Sequence, residues 1–261
     1  METELIKKTI RVGNSAGVLL PKEWLNTEVK IVLQPLNIEK DILDILRNED
    51  KLKEAEGIYL TGSYSRGEQT IESDIDVLVI TNNLNDRIKR GNYDILFIAK
   101  KKVENQLKSN VLPILPMLKE SQPIINKNLI KEYLDTKLNW ENLKWHIETT
   151  IKMMGEVLDD IEFAKKTNSN VSDASAYSLI LRLRTLYIID CLRKNKTPKT
   201  KELLSLIKRI SGSDIAYQRY TQSKNYHSNE SKLPIFEAEK LRDYIINKTE
   251  EIKKWLKGKK D

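Results

Sequence analysis

Apolar residues along the chain change their spacing twice, and the changes divide it into three stretches. In the first, residues 6–12 are β-rich, Gly13-Asn14-Ser15 is a turn cluster, and 17–20 is a short apolar run ending at Pro21. Pro21 suits the start of a short turn or helix through Trp24 and Leu25. Val29, Ile31 and Leu33 then alternate with Lys30, Val32 and Gln34, the period of a half-buried strand. Gln34-Pro35-Leu36-Asn37 reads as a linker. In the second stretch Ile38, Ile42, Ile45 and Leu46 repeat at helical spacing, which predicts an amphipathic helix over 38–54. Apolar runs at 57–60, 77–80 and 93–98 follow, each the length of a buried strand.

Beyond Pro113, Pro116 and Pro123 the period becomes helical throughout. From Trp145, residues Ile147, Ile151, Met154, Leu158 and Ile161 step by four and three, a narrow stripe for antiparallel packing. Ser172 and Asp173 open a run over 174–192 that is apolar nearly all round, and so a central buried helix. Leu203, Leu204, Ile207 and Ile210 mark a helix over 199–210, stopped by Ser211-Gly212-Ser213. Leu241, Ile245, Ile252 and Trp255 mark another over 234–256. These four helices predict an up-and-down antiparallel bundle. The expected domains are therefore a β-hairpin unit over 1–36, a strand-and-helix domain over 37–126 and a helical bundle over 127–261.

The middle stretch carries the chemistry, in the string GSYSRGEQTIESDIDVLVI over 62–80. A strand that ends in Gly62-Ser63 at the start of a helix offers backbone N–H groups and a hydroxyl to a phosphate. Gly62 lets the backbone come close to the anion, and Arg66 adds positive charge. Asp74 and Asp76 stand two apart at the start of a strand, so their side chains share one side of the sheet. Two carboxylates so placed repel unless a cation lies between them, and hard oxygen donors favour Mg²⁺. Asp94 opens the next apolar run, 18 positions after Asp76, and completes the set for a two-metal site. A lone Gly-Ser turn or Asp-x-Asp pair is usually an ordinary turn or strand edge. Their conjunction is what points to phosphoryl chemistry.

That conjunction resembles the DNA polymerase β-like nucleotidyltransferase superfamily, its minimal members especially. Gly-Ser, ten intervening residues, Asp-x-Asp in an apolar strand and a third acid on a later strand follow its pattern. The resemblance covers roughly residues 38–125. It implies an α+β or α/β fold with a mixed sheet, two Mg²⁺ ions, and ATP or another NTP as substrate. The implied reaction moves a nucleoside monophosphate, AMP by default, to an acceptor hydroxyl with release of pyrophosphate. Carried onto this sequence, it makes Gly62 and Ser63 the phosphate-binding pair and Asp74 and Asp76 the ligands of both metals. Asp94 becomes the third metal-binding carboxylate and the activator of the acceptor hydroxyl, and Arg66 meets phosphate. A protein side chain, an RNA end and a small molecule all remain open as acceptors.

The segment VGNSAGVLLPKEW resembles AbrB-type swapped-hairpin DNA-binding families. That resemblance implies a homodimer through residues 1–34, with basic residues such as Lys7, Lys8 and Arg11 facing DNA. A partner also makes physical sense, because so short a stretch of strand buries too little apolar surface alone. The net charge over 1–34 is only +1, little for a DNA binder. A second function therefore stays open: a DNA-binding dimeric regulator, or an antitoxin-like partner, whose nucleotidyltransferase domain only binds nucleotide. The helical part resembles the HEPN-type partners of minimal nucleotidyltransferases. HEPN ribonucleases place a histidine shortly after an arginine, whereas Arg219 and His227 lie eight positions apart, so that motif is not met. Tyr217, Arg219, Tyr220, Lys224, Tyr226 and His227 read as a basic-aromatic loop, either solvated or closing over the nucleotide with a stacked ring.

Composition narrows the remaining classes. With 45 Lys+Arg against 38 Asp+Glu the chain carries +7, which permits an anionic partner without requiring one. A single cysteine, Cys191, excludes an internal disulfide and a multi-thiolate zinc site, and two histidines leave no His-rich metal cluster. His146, beside Trp145, reads as structural rather than catalytic. No run approaches 18 apolar residues and the N-terminus lacks an apolar signal core, so a cytoplasmic chain without membrane contact is expected.

Overall fold

The structure, a computed structural model, describes residues 5, 7, 9–32, 37–70, 73–225 and 232–258, and the chain divides into two compact units, Met1–Ile38 and Glu39–Asp261. In the first unit β1 (Ile10–Val12) pairs antiparallel with β2 (Ser15–Gly17) across the Gly13–Asn14 turn. A 3-10 turn, Lys22–Trp24, follows Pro21. The strand expected over 29–33 is not formed among the described residues, and Val29, Ile31 and Val32 are exposed. A strand needs a neighbouring edge for its N–H and C=O groups, and β1 and β2 form a ladder of only three residue pairs. Residues 6, 8 and 33–36, which include Lys8 and most of the expected linker, lie outside the described residues, as does the Arg11 side chain.

The second unit opens with α1 (Ile38–Asn48), which ends six residues earlier than its apolar period suggested. Asp50, at φ +53°, turns the chain out of the helix, and a 3-10 turn, Leu52–Glu54, leads into β3 (Ala55–Thr61). Then come α2 (Gly62–Arg66), β4 (Ile75–Thr81), β5 (Asp86–Arg90) and β6 (Tyr93–Ala99). After these, α3 (Lys100–Ser109) and α4 (Leu115–Glu120) precede β7 (Gln122–Ile125) and α5 (Lys127–Leu134). The five strands form one mixed sheet in the order β5-β6-β4-β3-β7, with β4 and β6 parallel and the other neighbours antiparallel. The apolar pattern reveals β3, β4 and β6 but not the two edges. Strand β5 buries only Ile88 among charged residues, and β7 contains Pro123, which suits an edge.

Register assigns the two faces of the sheet. Ile58, Val77, Val79, Ile95 and Phe97 share one face, which α1 joins through the Tyr93 hydroxyl donating to Asp41 Oδ2 at 2.6 Å. Tyr59, Leu78, Ile80 and Ile98 share the other and enter a hydrophobic core that continues through all the later helices to Leu256. Thr61, Asp76 and Asp94 lie on this second face, at its end.

The helical region comprises α6 (Trp140–Thr167), α7 (Asp173–Arg193), α8 (Thr200–Ser211), α9 (Ile215–Asn225) and α10 (Ile235–Lys257). Ser172 caps α7 by accepting from the Ser175 N–H. Helix α10 packs on α6, α7 and α8, and α9 packs on α7. The expected bundle of four helices thus has a fifth, because the supposed loop from Tyr217 is α9. Ala216, Arg219 and Tyr220 recur at helical spacing and are buried; Arg219 reads as polar but its guanidinium is paired with Asp173. Tyr220 stacks on Tyr177 with ring centroids 5.1 Å apart, so this ring is spent in packing rather than held out for a nucleobase. The Lys224 side chain, Tyr226 and His227 lie outside the described residues. Among the described residues no helix is long and apolar enough to cross a membrane.

His146, on α6, is buried, and its Nε2 lies 2.6 Å from Asn110 Oδ1. Burial first, and the Arg182 charge second, lower its pKa to about 4. The folded state therefore binds this proton less tightly than the unfolded chain, whose imidazole titrates near 6.5. Its effect is absent above that pH, and acidification to pH 4 should cost the fold about 3 kcal/mol through this group alone. Comparing urea midpoints at pH 7 and pH 4.5 should show a smaller acid loss in His146→Gln than in the unsubstituted chain. Equal losses would mean that His146 does not carry the effect.

Candidate active site

The end of β3 and the starts of β4 and β6 meet at one end of the sheet. Thr61, the last residue of β3, stands opposite Asp76, and its hydroxyl donates to the Asp76 carbonyl at 3.3 Å. Asp76, the second residue of β4, stands opposite Asp94, the second residue of β6. Parallel pairing sets equivalent positions side by side, so both carboxylates belong to the same face. Asp74 lies just before β4 and is exposed. Gly62 follows Thr61 directly at φ +69°, and a Cβ on it would fall 2.1 Å from Asp76 Oδ2. Only a residue without a side chain lets the backbone pass so close to that carboxylate.

Electrostatics distinguish the acids. Burial raises the pKa of Asp76, and the charges of Asp94, Asp74 and Glu120 raise it further. A carboxyl pressed by three others is the signature of a place that favours a cation. Asp94 is the opposite case. It is buried, yet Arg87 on β5 grips it in a bidentate pair, Nε to Oδ1 and Nη2 to Oδ2, both at 2.7 Å. Lys89 Nζ stands 3.3 Å from Oδ2. The Arg87 hydrogen bonds, with help from Lys89, outweigh burial and hold Asp94 below the usual carboxylate range.

The residues expected to meet phosphate have partners of their own. The Gly62 N–H donates to Glu120 Oε1 at 2.9 Å, and Arg66 Nη1 donates to Glu120 Oε2 at 2.6 Å. Arg66 Nε also donates to Glu68 Oε2 at 3.0 Å. Burial would lower the pKa of Arg66, but Glu68 and Glu120 raise it on balance, so it stays charged. Ser63 sits in the first turn of α2, where its carbonyl accepts from the Glu68 N–H at 2.9 Å.

In kind, Asp74 and Asp76 fit a hard divalent cation: they are oxygen donors, and the repulsion on Asp76 is what such an ion would relieve. In placement the trio is incomplete. Among the described residues no three His, Cys, Asp or Glu side chains form a ready metal-binding group, and Asp94 is turned to Arg87 and Lys89. Arg87, Lys89, Glu68 and Glu120 were not singled out from the sequence. Gly91-Asn92, a two-residue hairpin turn, carried a signal for the first two, since it sets Lys89 opposite Asp94. Nothing near Glu120 in the sequence reveals it, because its position depends on how α4 returns to β3.

Comparison with curated proteins finds no match. Among solved structures, the chain is similar to a nucleotidyltransferase-like protein from Exiguobacterium sibiricum 255-15, at 14% identity, 82% coverage of this chain and 75% of that one, and a TM-score of 0.34. Residues 39–135, which run from α1 through α5 and include Gly62, Asp74, Asp76 and Asp94, match the family of nucleotidyltransferase domains.

Proposed function

We propose that the protein transfers a nucleoside monophosphate, AMP by preference, from an NTP to an acceptor hydroxyl. The observation that carries this reading is the register that sets Asp76 beside Asp94 where β3 delivers Gly62. Asp74 and Asp76 would hold Mg²⁺, with Asp94 as the third carboxylate of a two-ion site. Bound there, Mg²⁺ supplies charge neutralisation to the triphosphate and acidity to the attacking hydroxyl. The chain itself contributes the Gly62 amide, the Ser63 hydroxyl and the Arg66 guanidinium to the phosphates. Asp94, kept ionised by Arg87 and Lys89, accepts a hydrogen bond from the acceptor hydroxyl and orients it. The acceptor oxygen then bonds to the α-phosphorus as the bond to pyrophosphate breaks, and the hydroxyl proton passes to Asp94 and from there to solvent. Incubation of the full chain with [α-³²P]ATP and Mg²⁺ tests the reading. Label on an acceptor, with pyrophosphate released, is expected; its absence with all four nucleotides and a broad acceptor set would overturn it.

We further propose that residues 1–34 form a homodimer. What supports it is that the described residues of this unit leave Val12, Leu19, Leu25, Ile31 and Val32 exposed, apolar side chains that a second copy would cover. Sedimentation should give a dimer for the full chain and a monomer after deletion of 1–36. A full chain that sediments as a monomer would sink this proposal.

A further inference from the structure

Glu120 is the last residue of α4, and its side chain is 13% exposed. Both of its carboxylate oxygens are used: Oε1 accepts from the Gly62 N–H and Oε2 from Arg66 Nη1. These are the two groups that nucleotidyl transfer would direct at a phosphate. We infer that Glu120 is a resident anion that holds the phosphate seat and must leave it when a triphosphate binds, so that it sets nucleotide affinity. The inference rests on the transfer reading above.

Three observations carry it. First, one N–H and one guanidinium edge cannot serve both a carboxylate and a phosphate oxygen in the same place. Second, Glu120 is itself an anion on a partly buried seat, so keeping it in place while a triphosphate arrives would set like charges side by side where water screens them poorly. Third, the anchors of Glu120 are separate from its carboxylate. Its carbonyl accepts from the Ser65 hydroxyl, and neighbouring Gln122 donates through Nε2 to the Ser65 carbonyl at 2.8 Å. The backbone can thus stay fixed while the side chain rotates away. Arg66 meanwhile remains aimed by Glu68, which holds Nε and leaves Nη1 for the ligand.

The sign of the effect separates displacement from a structural role. If Glu120 competes with phosphate, Glu120→Gln keeps the shape but removes the competing charge, and binding tightens. If Glu120 only braces Arg66, the same change leaves the guanidinium less well held, and binding is unchanged or weaker. Calorimetric titration of the full chain with Mg²⁺-tripolyphosphate, and with ATP and Mg²⁺, should give E120Q about tenfold tighter binding than the unsubstituted chain, about 1.4 kcal/mol. In the labelling assay KM for ATP should fall with kcat no higher. Binding by folded E120Q that is equal or weaker overturns the inference and leaves the transfer reading standing. Should E120Q not fold, Glu120→Asp decides in the same titration, since it withdraws the carboxylate by one methylene: tighter binding supports displacement, equal or weaker binding overturns it. If the unsubstituted chain binds neither probe and transfers no label, the transfer reading itself fails and takes this inference with it.

Discussion

Asp76→Asn should reduce label transfer from [α-³²P]ATP by at least about a hundredfold, while the urea midpoint holds or rises. The two halves of this result have one cause. Asp76 is partly buried on the face it shares with Asp94, and its carboxyl is pushed up by burial and then by Asp94, Asp74 and Glu120. In the absence of a cation this arrangement costs the fold free energy, because like charges are held together where water screens them poorly. Asparagine keeps the shape and removes the charge, so the repulsion goes. It also removes an anionic oxygen from the proposed metal site, where carboxylate charge is what the reaction uses. Asp74→Asn should show the same loss of labelling with a smaller change in midpoint, since Asp74 is exposed. The reading fails if D76N labels as well as the unsubstituted chain. A midpoint that falls together with activity would instead identify Asp76 as a structural residue.

The contrast between Asp76 and Asp94 shows why the sequence revealed some of this site and not the rest. An Asp-x-Asp pair ahead of an apolar strand is a local pattern, and so is a Gly-Ser pair at a strand end. Both survive in the linear text, and register then brings them together. The long buried strands and helices were legible for a similar reason, because a period of two or 3.6 residues is imposed by burial on one face. Whatever depends on charged residues being paired was hidden. Strand β5 has no apolar period to reveal it, and only the structure shows Arg87 and Lys89 paired across the hairpin with Asp94. Helix α9 reads as a loop until Arg219 is seen paired with Asp173. Glu120 is the extreme case: its partners Gly62 and Arg66 lie more than fifty residues upstream, and no local pattern encodes that approach. In the opposite direction, the alternation over 29–33 is a real period with no edge to pair with among the described residues of its own unit. A period states which residues seek burial, and not what will cover them.

Gly62→Ala should be the other damaging substitution, and in the opposite manner to D76N: both activity and stability should fall. The residue sits at φ +69°, where an L side chain is strained by about 1–3 kcal/mol. The added Cβ would also lie 2.1 Å from Asp76 Oδ2, 2.9 Å from its Cγ and 3.0 Å from its Cβ. Rotation of the carboxylate relieves the first contact only. The contact with the Asp76 Cβ requires β4 or the start of α2 to shift. Such a shift separates the Gly62 amide from Asp76, the two groups that the proposed transfer needs at fixed distance, so labelling should drop at least about a hundredfold even in molecules that remain folded. Gly67, just past the other end of α2, provides the control. It stands at φ +67°, but a Cβ there meets nothing within 4 Å. Gly67→Ala should therefore lose stability to a similar backbone strain and keep its labelling when assayed below its midpoint. Equal labelling by G62A and G67A would show that the close approach of Gly62 to Asp76 has no part in the chemistry.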